Sequence, residues 1–369
     1  MSIAQKKNIV VLGSANVDIS AQTPVFPRDG ETVTGDTVLV STGGKGTNQA
    51  VSAARSGACV TMIARIGNDF FADIPRALYE REQIDTRFVS RDPDHSTGCA
   101  LIEVHAGSGE NRITVIPGAN MTVTAEHVAA AEAEIAAADI LLTQMETHPD
   151  SIQKFLELAA AHGKKVILNP APALPIPDSW YPMIDTITPN ETEAEHYTGI
   201  TVTDDESALK AAGVFAAKGV RCVIITCGAR GVFCAEFARD ERGAVTPVFH
   251  ARILTYRVQA LDTTGAGDAF NGALCTALAE GRTLVDACRF ATTAATLSVT
   301  KRGAAESMAK RDEIDALYNR FYHAGKAITP MARRLAQENG LFWRALEGTG
   351  ENGTVTEADV KKAIHHPMV

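Results

Sequence analysis

The chain has 369 residues, enough for about two to three domains of roughly 150 residues each, and a single small module is excluded. Apolar residues make up 45% and charged residues 21%, which supports a sizeable core and argues against wholesale disorder. With 44 acidic against 35 basic residues, the formal net charge of -9 argues against a general nucleic-acid binder; a bound polyanion must be held by local geometry.

Seven cysteines, at positions 59, 99, 222, 227, 234, 275 and 288, form no C-x-x-C pair and no Cys/His cluster at zinc spacing, a pattern that fits reduced thiols. The apolar run after Lys6 and Lys7 ends at Gly13, too short for the core of a signal peptide, and no apolar stretch reaches the roughly 18 residues of a membrane span. The expectation is a cytoplasmic protein.

Short β-branched runs at residues 8–12, 60–64, 140–143, 166–168, 184–187 and 222–226 predict buried strands. Most are followed by helical patterns rich in Ala, Leu, Glu and Lys, at 47–56, 73–82, 125–138, 151–162 and 206–218. This alternation implies an α/β layered domain with a largely parallel sheet. Residues 19–40 and 96–115 break it, reading as period-2 strands with Gly, Pro and Asp turns and no helix between them. They predict either a small antiparallel sheet, suited to a lid that excludes water from a cleft, or plain edge strands of the main sheet. Two Ala-rich helices at 266–278 and 284–298 and an amphipathic segment at 311–322 follow, and the domain can end there.

The most informative stretch is DTTGAGDAFNG, residues 262–272. Gly265 and Gly267 let the backbone bend close to a ligand, and Ala266 lies at the start of a helix whose free N–H groups point back into that turn. Such a helix N-terminus is a ready site for a phosphate. Asp268, in the first helical turn, can accept a proton from a hydroxyl attacking the phosphate, or can simply complement the helix dipole. A second constellation, TGGKGTNQA at 42–50, again opens a helix with glycines. It is not a Walker loop, since Lys45 is followed by Gly46 and not by Ser or Thr. Its glycines suit close approach of a polyhydroxylated substrate, and the Asn48 amide can both donate to and accept from hydroxyls; a bland helix start is the competing reading. Asp18, in Asn16-Val-Asp18 after the first strand, can hold two neighbouring hydroxyls or cap a turn. Asn190 and Glu193, in TPNETE at 188–193, form a capping-box pattern, and TCGARG at 226–231 reads as a nucleotide contact or a simple hairpin.

Together the two glycine signatures, in this order, resemble the ribokinase (PfkB-type) carbohydrate and nucleoside kinase family over residues 8 to about 320. PRDGETVTG at 27–35, NPAPA at 169–173 and TPNETEA at 188–194 strengthen the likeness. The resemblance implies a three-layer α/β fold with a mostly parallel central sheet and a small β-sheet lid, drawn from about 16–40 and 96–116 of a kinase domain at 1–325. It implies ATP-dependent phosphorylation of ribose at O5, with 2-deoxyribose or a nucleoside as the alternative acceptor, and a homodimer formed through the lid. Asp268 is then the general base, and the Gly265, Ala266 and Gly267 amides form the anion hole. Asn16, Asp18, Gly44, Lys45, Gly46, Asn48 and Glu146 contact the sugar. Asn190, Thr226, Gly228, Gly231, Gly267 and the adenine-side Thr292 contact ATP, while Glu193 organises Mg²⁺ through water. A monovalent cation, K⁺, falls to Asp262, Thr264, Ser298, Lys301, Gly303 and Ser307, several through backbone carbonyls.

Residues 327–364 lie outside that family's core. They resemble the peripheral subunit-binding domain of 2-oxoacid dehydrogenase acyltransferases, with Gly353-Thr354-Val355 where that module has Gly-Arg-Ile. A small helical tail at 326–369 that docks a protein partner is therefore the reading from another class. The tail's GTGENG at 348–353 spells G-x-G-x-x-G but follows no strand, which excludes dinucleotide binding there.

Overall fold

The computed structural model describes residues 6–322, 327–339, 341, 343, 346 and 348–365. The chain begins with strands β1 (Asn8–Leu12), β2 (Asn16–Thr23) and β3 (Thr37–Gly43), helix α1 (Lys45–Arg55), β4 (Cys59–Gly67), α2 (Asp73–Arg81) and β5 (Asp85–Asp92). Next come β6 (Gly98–His105), β7 (Asn111–Ile116), α3 (Ala125–Ala129), α4 (Glu132–Ala137), β8 (Ile140–Thr143), α5 (Pro149–Ala161), β9 (Val166–Leu168) and β10 (Thr186–Ile187). After α6 (Glu191–Thr198) and α7 (Asp205–Lys218) follow β11 (Cys222–Thr226), β12 (Val232–Arg239) and β13 (Val245–Ile253). Helices α8 (Ala266–Ala279), α9 (Leu284–Ser298), α10 (Arg311–Tyr322), α11 (Pro330–Glu338) and α12 (Glu357–His365) complete it.

The main sheet has the order β13-β12-β11-β10-β9-β8-β1-β4-β5, parallel except at the β11·β12 and β12·β13 pairs. Its strands are apolar on both faces because both faces are covered by helices. Along β1, Ile9 and Val11 enter one core with Ala50, Phe270 and Phe290, whereas Val10 and Leu12 enter the other with Ile152, Phe155 and Phe215. The result is three layers. Helices α1 and α8 approach closely because Gly272 has no side chain: a Cβ there would overlap the Gln49 carbonyl and Ser52. That contact brings the first turns of the two helices side by side.

The two segments that break the strand–helix alternation form a separate four-stranded sheet, β3-β2-β6-β7, which overturns the edge-strand alternative. Its outer pairs are antiparallel and its central pair, β2·β6, is parallel. Three further departures from expectation concern polar or alanine-rich sequence. Strand β5 (DTRFVSRD) and the edge strand β13 carry too many polar residues to stand out as strands. The helix expected over 125–138 is two, α3 and α4, broken at Ala130–Ala131 with no Gly or Pro to mark it; Val128, Ala131 and Ile135 all still bury. The C-terminal segment has its own small core of Ala332, Ala336, Leu346, Val355 and Val360.

Candidate active site

The carboxyl end of β1 and the start of α1 make the first wall. Gly44 caps α1 at φ 87°, a conformation that favours glycine, and a Cβ there would sit 2.9 Å from the Asn16 amide. Ser14 and the Lys45 amide both donate to Glu146 Oε2, at 2.5 and 3.0 Å. Glu146 thus ties the loop after β8 to the start of α1. Gly46 does not face the cavity in the same way: its amide donates to Ser14 Oγ, and a Cβ would overlap Gly13 and Ser14. It packs α1 against β1.

Asp268 lies in the first turn of α8, 6% exposed. Its two oxygens accept from neighbouring amides on α1, Asn48 Nδ2 and Gln49 Nε2, each at 2.9 Å. Gln49 also donates to Asn169 Oδ1 and accepts from Gln144, so the carboxylate is held by a connected set of amides. The donation from Asn48 Nδ2 fixes that amide's orientation and leaves Asn48 Oδ1 buried with no donor among the described residues. A buried acceptor of this kind costs free energy until a ligand donor reaches it. No side chain caps α8, and the amides of Gly267 and Asp268 have no acceptor among the described residues. A Cβ on Gly267 would meet nothing within 4 Å, so the space beside these amides is open.

Charge concentrates at this junction. Burial, then Glu146 and Asp268, push the Asp18 carboxyl up to about 6. Burial opposes the charge on Lys45, but Asp268, Glu146 and Glu193 outweigh it and raise its pKa. Burial likewise raises Glu193 despite the Asn190 amide and Lys45. Asp18 on β2 would collide with any side chain at Gly43, so β2 and β3 meet closely just before α1.

From Lys45 and Asp268 a cleft of about 1450 Å³ opens along the strand ends. Asn190, Glu193, Thr226, Gly228, Gly231, Gly265, Ala266, Gly267 and Thr292 all line it. Asn190 and Glu193 form the expected capping box at the start of α6 while facing the cleft. Gly231 connects β11 to the antiparallel β12 at φ 82°, where a Cβ would overlap the Ile253 carbonyl. Thr292 Oγ1 and Arg252 Nη1, both on residues that line the cleft, are buried with no partner among the described residues. Asn339 of the C-terminal segment also lines the cleft, and its carbonyl accepts from Arg257 at 3.0 Å.

Beneath the glycine turn, Asp262 joins two loops by accepting from the Thr264 and Gly303 amides, each at 2.9 Å. Ser298 and Ser307 spend their hydroxyls on the Ala295 and Ala304 carbonyls, and Lys301 Nζ pairs with Glu313. Any cation at these positions therefore meets mainly backbone oxygen, a donor set that suits a hard monovalent ion.

Comparison with known proteins decides the family, since residues 6–311 match the model of the pfkB family carbohydrate kinase. The chain belongs to that family. Among pfkB kinases, the ribokinase of Haemophilus influenzae is 44% identical over 308 residues, covering 84% of this chain and 97% of that protein. The deoxyribokinase of Salmonella typhi is 34% identical over 301 residues, covering 81% and 95%. The structure of Arabidopsis thaliana ribokinase complexed with ribose and ATP aligns with a TM-score of 0.77 at 30% identity, over 85% of this chain and 99% of that one. Residues 327–361 match the model of an e3 binding domain. Among the described residues no helix is long and apolar enough to cross a membrane.

Gln49, Gln144, Asn169, Asn271 and Asn120, none of them a site candidate from sequence, hydrogen-bond within or beside the candidate site of this pfkB kinase. Gln49 was within reach, because it follows Asn48 on the helix that opens at Gly44. Asn271 was too, one turn after Gly267, whose carbonyl accepts from it at 2.8 Å. Nothing local marks Gln144 or Asn120.

Proposed function

We propose that this pfkB kinase transfers the γ-phosphoryl group of ATP to O5 of D-ribose. The observation that carries the reading is the position of Asp268. It lies between an unfilled hydroxyl acceptor, Asn48 Oδ1, on one side and the free amides of Gly267 and its own residue on the other. The sugar occupies the pocket of Asn16, Asp18, Lys45, Asn48 and Glu146; ATP lies along the cleft from Gly265–Gly267 to Thr292.

In the step itself, the O5–P bond forms as the bond from phosphorus to the bridging oxygen of ADP breaks, and the hydroxyl proton passes to Asp268. The α8 amides receive the charge that grows on the transferring oxygens, with Lys45 beside them. Glu193 and Asn190 would hold Mg²⁺ through water, because both Glu193 oxygens already accept from Asn190; the metal would neutralise phosphate charge. The loops joined by Asp262 would hold K⁺, fixing the glycine turn from behind. Ribose is preferred to the deoxy sugar on the 44% identity to a ribokinase against 34% to a deoxyribokinase, and a site built around the 2-hydroxyl rejects the analogue lacking it. The small sheet covers the sugar as a lid, and the domain at 326–369 docks a protein partner.

The test is ADP release with ribose, 2-deoxyribose, fructose and adenosine, with and without K⁺, beside Asp268→Ala. K⁺-dependent turnover of ribose that vanishes in the variant is expected. Turnover of none of the four, or turnover indifferent to Asp268→Ala, overturns the reading.

A further inference from the structure

Asn120 is 1% exposed, on the short turn that follows β7, and touches the segment Ala15–Asn16, about a hundred residues earlier. Its Oδ1 accepts from the Ala15 amide at 2.8 Å, and its Nδ2 donates to the Pro117 carbonyl at 2.9 Å. A backbone N–H can only donate and a backbone carbonyl can only accept, so these two bonds fix which end of the Asn120 amide is which. The remaining proton on Nδ2 goes to Asn16 Oδ1 at 2.6 Å. Asn16 is therefore fixed as well, with its oxygen turned inward. Its Nδ2 donates to no acceptor among the described residues and is not fully buried.

We infer that Asn120 is a positioning residue that sets how tightly this kinase holds its sugar, by making Asn16 present N–H groups, and never its carbonyl, to the acceptor. This rests on the reading of Asn16 as a sugar contact. The chemistry of the pocket explains why the orientation matters. A sugar hydroxyl has one proton and two lone pairs. Asp18 as carboxylate and Asn48 Oδ1 can only accept, so they take hydroxyl protons; the lone pairs left over need donors, which are Asn16 Nδ2 and Lys45. Reversing the Asn16 amide turns a donor into a third acceptor that finds no proton. Gly98, the first residue of β6, closes the arrangement, since a Cβ there would overlap both Asn16 Oδ1 and Asn120 Nδ2.

The experiment compares Asn120→Asp, Gly98→Ala, Asn16→Ala and the double variant Asn16→Ala/Asn120→Asp in steady-state kinetics with ribose and ATP. Asp at 120 still accepts from Ala15 but confronts Asn16 Oδ1 with an oxygen, which forces the Asn16 amide to reverse. The expected result is a KM for ribose raised about tenfold or more, with kcat within about threefold and KM for ATP within about twofold, in both Asn120→Asp and Gly98→Ala. The double variant should be no worse than Asn16→Ala alone, because the effect passes through Asn16. Should Asn120→Asp not fold, Gly98→Ala reads the same pair. If Asn16→Ala raises KM for ribose but neither other single variant does, the inference is overturned while the sugar-binding reading stands. If Asn16→Ala leaves KM unchanged, that reading fails at Asn16 and takes the inference with it.

Discussion

The proposed chemistry depends on two carboxylates with different surroundings. Asp268 is held by two amide donors at 2.9 Å, while Asp18 has burial and two like charges against it. Asp268→Asn should lower kcat by about 10² to 10⁴, with smaller changes in either KM, since it removes the proton acceptor and little binding surface. Asp18 predicts a pH effect of the opposite kind, on binding. Its carboxyl titrates at about 6, so kcat/KM for ribose should fall as pH drops through about 6 and the acceptor-only form is lost. In Asp18→Asn that dependence should flatten at a low value. The sign for stability follows from the same shift. The folded state keeps the Asp18 proton up to about 6, whereas the unfolded chain releases it near the ordinary value of 3.8, so charging Asp18 costs stability as pH rises between these values. Thermal unfolding should therefore show Asp18→Asn more stable than the parent at pH 7, and no more stable below pH 3.8.

Helix α8 separates glycines needed for folding from a glycine needed for ligand. Gly265 caps it at φ 74° with Ala304 and Met308 at 3.2–3.3 Å from a hypothetical Cβ, so Gly265→Ala strains the backbone by about 1–2 kcal/mol and presses on the loop at Ala304. Gly267 has an ordinary φ and open space around it. Gly267→Ala should leave the melting temperature within about 2 °C of the parent, yet raise KM for ATP and lower kcat, because the methyl group occupies phosphate space. A melting temperature that falls as far as that of Gly265→Ala would show Gly267 to be a packing residue. This division also marks what the sequence makes legible. Asn190 and Glu193 are three residues apart and their capping box can be read directly; so can the glycine turn, Asp268 and most strands, whose signals lie within one element. Asn120 and Asn16 are 104 residues apart, and Gln49 and Asp268 are 219 apart. Only tertiary packing, of α1 on α8 in one case and of the small sheet's strands on the turn after β7 in the other, brings such amides together, and a lone Asn such as Asn120 carries no pattern to announce it. The polar β5 and the break between α3 and α4 escape for the related reason that packing, not propensity, decides them.

At the scale of the molecule, the small sheet poses a physical problem that the described residues do not solve. Four strands standing apart from the main sheet are only marginally stable unless their apolar faces are covered. In the register of the sheet, Ile19 lies beside Val40 and Leu101, and Ala21 beside Val38, on the face opposite to Asp18. Val38, Val40 and Leu101 are 66%, 46% and 46% exposed. We propose that a second copy of the chain covers this face, since two such sheets are self-complementary and the Asp18 face is left free for the sugar. Light scattering after size exclusion should give a dimer for the parent and a monomer for Val40→Glu/Leu101→Glu. The monomer should bind ribose more weakly, because a sheet without its cover holds Asn16, Asp18 and Gly98 less firmly, while KM for ATP, set by strand ends of the main sheet, stays within about twofold. A parent that is monomeric at micromolar concentration, or a monomeric variant with unchanged KM for ribose, would show that the small sheet needs no partner to hold the sugar site.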